Sequence, residues 1–68
     1  MKNRLIVKAY GKQLDGLRGA ASQIARDRKT DWSCEAVDKG AQFSFEEPTS
    51  KAAFASLCEN LGLTCIDA

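Results

Sequence analysis

Residues 31–47, DWSCEAVDKGAQFSFEE, decide the fold of this 68-residue chain. The stretch predicts two β-strands joined by a tight turn at residues 38–40, where Gly40 supplies the positive φ of a bulge after the turn. Alternation along both strands places their larger apolar side chains on one face. That face carries Trp32, Cys34, Ala36, Phe43 and Phe45. Because this face holds three of the five aromatic residues, we expect it to form one side of the hydrophobic core.

A first amphipathic helix is predicted before the hairpin, from Leu14 to about Arg28, because apolar residues recur there at helical spacing. Its apolar stripe comprises Leu14, Leu17, Ala21 and Ile24. Gly16 and Gly19 lie in its first turns. Either the helix starts later, with Asp15 as N-cap, or these two glycines allow a neighbouring element to approach closely.

A second helix is predicted after Pro48, with Thr49 preferred to Ser50 as its N-cap. Its apolar stripe comprises Ala53, Phe54, Leu57, Cys58 and Leu61. Gly62 suits the left-handed position that follows a helix end. The hairpin is therefore flanked by two helices, each with one apolar side that must be buried.

A strand is predicted at each end of the chain. The first, Lys2–Tyr10, alternates so that its inward residues are Leu5, Val7 and Ala9. For the last, Leu63–Ala68, alternation leaves two choices for the inward side: Leu63 with Cys65, or Thr64 with Ile66.

The element order β-α-β-β-α-β predicts an α+β fold formed by residues 1–68 as a single domain. The natural architecture is the ferredoxin-like βαββαβ arrangement, a four-stranded antiparallel sheet in the order 4-1-3-2 with two helices packed on one face. Its other face is left open to a partner or to water.

Composition narrows the functional classes. Apolar residues make up 44% of the chain and charged residues 28%, as in ordinary globular proteins, and the net charge of +1 argues against a dedicated nucleic-acid domain. The chain has no histidine, which removes the commonest general base and metal ligand, and it shows no catalytic or cofactor motif. We therefore expect a protein that is not an enzyme and binds no cofactor or metal. The short apolar runs predict neither a signal peptide nor a membrane span, hence a cytoplasmic location.

The open face and one sheet edge form the main candidate binding site. The predicted site residues are Ile6, Lys8, Tyr10, Ser33, Glu35 and Val37. RNA-binding modules of this architecture stack bases on aromatic residues of the open face, whereas alternation here sends the hairpin aromatics to the helix side. The Trp32–Val37 strand is a predicted edge with one charge and no proline, open to strand addition. We expect a protein partner or a homodimer; scattered exposed apolar residues are the alternative explanation.

A basic pole at one end of the domain is the alternative site, for an anion, a small ligand or, weakly, nucleic acid. It comprises Lys2, Arg4, Arg26, Arg28 and Lys29. The competing interpretation is a solvated loop whose charge is balanced by nearby acids: Asp27, Asp31, Glu46 and Glu47.

Glycines and cysteines offer two further hypotheses. Gly11, Gly16 and Gly19 match neither a dinucleotide-binding fingerprint nor a P-loop, which favours loop and packing roles. Cys58 and Cys65 suggest either a disulfide or, with Cys34, a three-thiolate metal site, against the simpler role of small buried hydrophobes. A chain of this length is also expected to have little volume for a pocket of a few hundred cubic ångströms.

Overall fold

A computed structural model describes residues 3–38 and 40–67 of the chain. The strands are β1 (Asn3–Val7), β2 (Trp32–Val37), β3 (Gly40–Phe45) and β4 (Cys65–Asp67), and the helices are α1 (Gly11–Asp27) and α2 (Pro48–Asn60). The four strands form an antiparallel sheet in the order β2-β3-β1-β4. This is the predicted order counted from the other edge, so the α+β class and the strand order are confirmed.

The core lies between the two helices and one face of the sheet. Its fully buried members include Val7, Leu17, Phe43, Phe45 and Phe54. The ring of Phe54, from α2, lies 4.5 Å from that of Phe43 and 5.4 Å from that of Phe45, centroid to centroid. The predicted placement of the hairpin aromatics on the helix side is therefore confirmed, and α1 and α2 cover the same face.

The turn of the hairpin is tighter than predicted. Val37 pairs with Gly40, and the pairing runs one residue to one residue along both strands, so the predicted bulge is wrong. Gly40 does have a positive φ of 140°. A Cβ at this position would collide with the carbonyl oxygen of Val7 in β1. Glycine is thus required by the close approach of β1 as well as by φ; Lys39 lies outside the described residues.

The strands at the two chain ends are shorter than predicted. β1 ends at Val7, although Ala9 beyond it is buried as expected. In β4, Cys65 pairs with Val7 on the helix side, and Ile66 pairs with Ile6 on the open side. Of the two choices for the last strand, the structure therefore has Leu63 and Cys65 inward. The predicted final residue of that strand, Ala68, lies outside the described residues.

Both helices start earlier than predicted. α1 begins at Gly11, so Asp15 is not its N-cap, and α2 begins at Pro48 with Glu47 as N-cap in place of Thr49 or Ser50. Proline suits a first helical position because the N–H it lacks would have no partner there. Neither described helix combines the length and the apolar character needed to cross a bilayer.

The two glycines inside α1 do not serve close packing. No atom lies within 4 Å of a Cβ built on Gly16 or Gly19, so the close-approach explanation for them is wrong. They lie on the exposed side of α1, where packing of the opposite side outweighs their weak helix propensity. Gly62, with φ of 75°, follows α2 as predicted.

Phe43→Ala is expected to remove most of the stability of the fold. Truncation of a buried phenylalanine costs about 3–5 kcal/mol, whereas a domain of this size has a free energy of unfolding of about 3–10 kcal/mol. Urea unfolding followed by circular dichroism measures the loss. Gln42→Ala is the matched control, because Gln42 immediately precedes Phe43 in β3 and faces the other side of the sheet. Equal losses in the two variants would contradict this description of the core.

Candidate functional site

The open face is the side of the sheet turned away from α1 and α2. Across its centre, Glu35, Gln42, Ile6 and Ile66 lie in one row, each on a neighbouring strand. The Gln42 side-chain amide donates a hydrogen bond of 3.3 Å to the Glu35 carboxylate. Ile6 is half-buried and Ile66 is 44% exposed. The row thus has a polar half on β2 and β3 and an apolar half, Ile6 with Ile66, which we call the isoleucine pair.

Polar and charged residues border the isoleucine pair. On one side lies Arg4, in the row that also holds Ser44. On the other side lies Lys8, whose backbone N–H donates to the carbonyl oxygen of Thr64 at 3.3 Å and so extends the pairing of β1 with β4. The exposed apolar surface is therefore small and lies on the β1–β4 half of the open face, beside polar and charged residues.

Most of the predicted binding residues share this face, with one exception. Ile6, Ser33, Glu35 and Val37 lie on the open side, and Lys8 continues it just beyond β1. Tyr10 does not lie on the sheet: it is the N-cap of α1, and it is 65% exposed. Their role in binding stays a prediction.

Ile66 is a residue of the open face that sequence patterns did not identify. Alternation alone left the facing of the last strand undecided, since two sets of residues fitted the inward side equally well. The facing follows from the register in which Ile6 pairs with Ile66, and that register is a long-range property of β1 and β4. No local sequence signal identified this residue.

β2 exposes its outer edge. The backbone N–H of Glu46 donates to the carbonyl oxygen of Asp31 at 3.0 Å, so this pair is hydrogen-bonded. Hydrogen-bonded pairs recur at every second position of an antiparallel ladder. The backbone groups that point away from β3 therefore belong to Trp32, Cys34 and Ala36. Among the described strands, β2 pairs with β3 alone.

The predicted basic pole is divided by the sheet. Arg4 lies on the open face, whereas Arg26, Arg28 and Lys29 belong to the end of α1 and the turn after it, on the other side. All four are exposed. Lys2 lies outside the described residues.

Acidic and neutral groups are interleaved with these bases. The hydroxyl of Thr30 donates a 3.0 Å hydrogen bond to Glu46, and the amide of Gln23 donates a 2.8 Å bond to Asp27. The end of the domain that carries the basic residues therefore also carries partnered carboxylates. This arrangement gives a mixed charged surface at that end, and an anion-binding role for its bases stays a prediction.

A groove of about 440 Å³ opens between α2, β4 and Leu5 of β1. Its lining comprises Leu5, Ala55, Glu59, Leu63, Thr64, Cys65 and Asp67. The expectation that so short a chain has little volume for such a pocket is wrong. The groove lies beside the three-residue strand β4, and Ala55 and Glu59 of α2 form part of its lining. At the rim, the ammonium of Lys51 pairs with the Asp67 carboxylate at 2.8 Å.

Two thiols lie close together beside this groove. Cys58 is fully buried, whereas Cys65 is half-buried and lines the groove. Burial, and then the proximity of Cys65, raise the pKa of the Cys58 thiol to about 12. Cys34 lies apart from them on β2. Among residues 3–38 and 40–67, no group of three or more histidine, cysteine or acidic side chains is placed to hold a metal ion.

Comparison with protein families, with curated proteins and with solved structures finds no match for this chain. The function therefore has to be argued from the residues of the open face, the β2 edge and the groove.

The Cys58 thiol is expected to weaken the fold at alkaline pH. Its pKa is near 9.0 when unfolded and near 12 when folded. Well below pH 9 the thiol is protonated in both states, so the free energy of unfolding does not depend on it. From about pH 9 towards pH 12 the unfolded state loses this proton more readily, so the free energy of unfolding falls progressively. At pH 10 the loss is about 1–2 kcal/mol. Urea unfolding under reducing conditions at pH 7 and pH 10 measures it, with Cys58→Ala as the comparison. An equal alkaline loss in the variant would contradict this assignment.

Proposed function

We propose that this chain is a small, non-enzymatic binding module of the ferredoxin-like type, which associates with protein through its open face or its β2 edge. The partner to which we commit is a second copy of the chain. The observation that carries the proposal is the isoleucine pair, two branched apolar side chains placed side by side on the solvent-facing surface of the sheet.

The physical argument begins with burial. Apolar surface removed from water contributes about 25 cal/mol per Å², and protein interfaces combine an apolar centre with a polar rim. The isoleucine pair supplies the centre. Lys8, Gln42 and Glu35 supply part of the rim, and the last two are already held by their mutual hydrogen bond. A second copy would bring the same centre and the same rim, so the surface suits a symmetric dimer.

The absence of aromatic residues among those placed on the open sheet face argues against RNA as the partner. Trp32, Phe43 and Phe45 all belong to the helix side, and Tyr10 lies outside the sheet. RNA-binding modules of this architecture stack unpaired bases on aromatic residues of the open face. The net charge of +1 likewise supplies little attraction for a polyanion.

The β2 edge offers a second, distinguishable geometry for the same partner. Antiparallel pairing of two β2 strands uses all the outward backbone groups when Cys34 lies opposite Cys34 of the second copy. Trp32 then lies opposite Ala36, and Glu35 lies opposite Ser33, so like charges do not face each other. Hydrogen-bonded pairs have Cα atoms about 5.5 Å apart, which is within the range that a disulfide spans.

Ile66→Glu is expected to abolish association through the open face. Sedimentation velocity over a concentration series should show a rising mass for the wild type and a constant monomer mass for the variant. Leu61→Glu is the matched control, because Leu61 is also exposed, at 55%, but lies at the end of α2. A wild type that stays monomeric throughout, or variants that behave alike, would contradict the face-mediated dimer.

The edge geometry and the anion-binding alternative have their own signatures. Edge pairing predicts a covalent dimer on mild oxidation, which Cys34→Ser removes while Ile66→Glu does not.

The double variant Arg28→Glu, Lys29→Glu should leave association unchanged in either geometry. If the double variant lost association while the Ile66→Glu protein still associated, the basic end of the domain would be favoured over the sheet as the binding surface.

A further inference from the structure

We propose that Cys58 and Cys65 form an oxidisable dithiol site, entered through the groove beside α2, that reacts with small cationic disulfides to give an intramolecular disulfide. The proposal is independent of the association proposed above. It rests on the backbone reversal that brings two thiols close together, on their unequal access to solvent and on the charge at the groove rim.

The backbone holds the two cysteines close together. After α2 ends, the N–H of Leu63 donates to the carbonyl oxygen of Cys58 at 2.9 Å. The thiol of Cys65 points back to the carbonyl oxygen of Leu63 at 3.9 Å. The chain thus makes a short reversal between Cys58 and Cys65, which brings Cys65 close enough to raise the pKa of the Cys58 thiol. Forming a disulfide here requires the two sulfur atoms to move to bonding distance while the surrounding backbone hydrogen bonds stay in place.

The two thiols have different access to a reagent. Cys58 is completely buried, whereas Cys65 lines the groove. The groove volume of about 440 Å³ is within the range of small-ligand sites. A reagent must therefore meet Cys65 first, and the groove has room for the part of the reagent that stays attached.

The rim selects for positive charge. Glu59 and Asp67 both contribute to the lining. The ammonium of Lys51 neutralises Asp67, whereas among the described residues no ion pair neutralises Glu59. A disulfide with an ammonium near its sulfur atoms is therefore attracted to the groove, and an anionic disulfide is repelled. The simplest probe of this class is cystamine.

The reaction proceeds in two exchanges. The Cys65 thiol loses its proton, and the resulting thiolate attacks one sulfur of cystamine, whose S–S bond breaks. A mixed disulfide forms on Cys65, and one cysteamine leaves as a thiolate that takes up a proton. The Cys58 thiol then gives up its proton and attacks the Cys65 sulfur, and the second cysteamine leaves with a proton. The protein loses two hydrogen atoms, and cystamine is reduced to two cysteamine molecules.

A Cys58–Cys65 disulfide would tie β4 to α2. β4 has three residues and pairs with β1 alone among the described strands, and an ion pair between Lys51 and Asp67 joins it to α2. A cross-link restricts the unfolded chain more than the folded one, provided that the native geometry accepts it. The oxidised protein should therefore melt at a higher temperature than the reduced protein, by several degrees.

The test uses the full chain with Cys34→Ser, which leaves Cys58 and Cys65 as the only thiols. After treatment with cystamine, intact-mass spectrometry should show a monomer that has lost two hydrogen atoms and no longer reacts with iodoacetamide after unfolding. Thermal unfolding should show the higher melting temperature. A stable cysteamine adduct, a covalent dimer through Cys65 or a lowered melting temperature would each overturn the proposal.

Two further variants separate the roles of the residues. In the same background, Cys65→Ser should abolish the reaction of the folded protein, since Cys58 alone is inaccessible. Glu59→Gln should leave the disulfide intact but slow its formation with cystamine several-fold, with no slowing for the anionic reagent dithiodipropionate. Equal rates with cystamine for the Glu59→Gln variant and its parent would contradict the charge selection.

Discussion

The contact of Phe54 with Phe43 and Phe45 is the interaction on which the rest of the structure depends. Phe54 brings α2 onto β3, one of the two central strands, and the three rings are fully buried together. Because side chains alternate along a strand, burying Phe43 and Phe45 on one side turns Gln42 to the other side. The same contact that closes the core therefore also determines which residues remain exposed on the open face.

The sequence predicted the element order because the signals involved are local and repeated, and the strand order followed from the architecture that this element order favours. Alternation in residues 32–45 and the helical spacing in residues 53–58 each involve several residues that agree with one another. Helix starts were predicted less well, since a single residue decides them. Thr49 has the better side chain for an N-cap, yet the helix continues back to Pro48, whose fixed φ already suits a first turn.

The candidate sites were predictable only in part, for the same reason. Ile6 and Glu35 were assigned to the open face because they lie in strands whose buried side was evident. Ile66 and the groove depend on the length of β4 and on its register with β1, which no short stretch of sequence specifies. The proximity of Cys58 and Cys65 likewise arises from a chain reversal whose geometry is set only once α2 and β4 are both in place.

The central claim is that the open face of the sheet, and in particular the isoleucine pair, is a binding surface for a second copy of the chain. The most direct measurement is a series of ¹H–¹⁵N NMR spectra of the labelled protein at increasing concentration. We expect the amide signals of Ile6, Gln42 and Ile66 to shift progressively, while those of the outer side of α1 stay fixed. Spectra that do not change with concentration, or shifts confined to Arg26, Arg28 and Lys29, would contradict the claim.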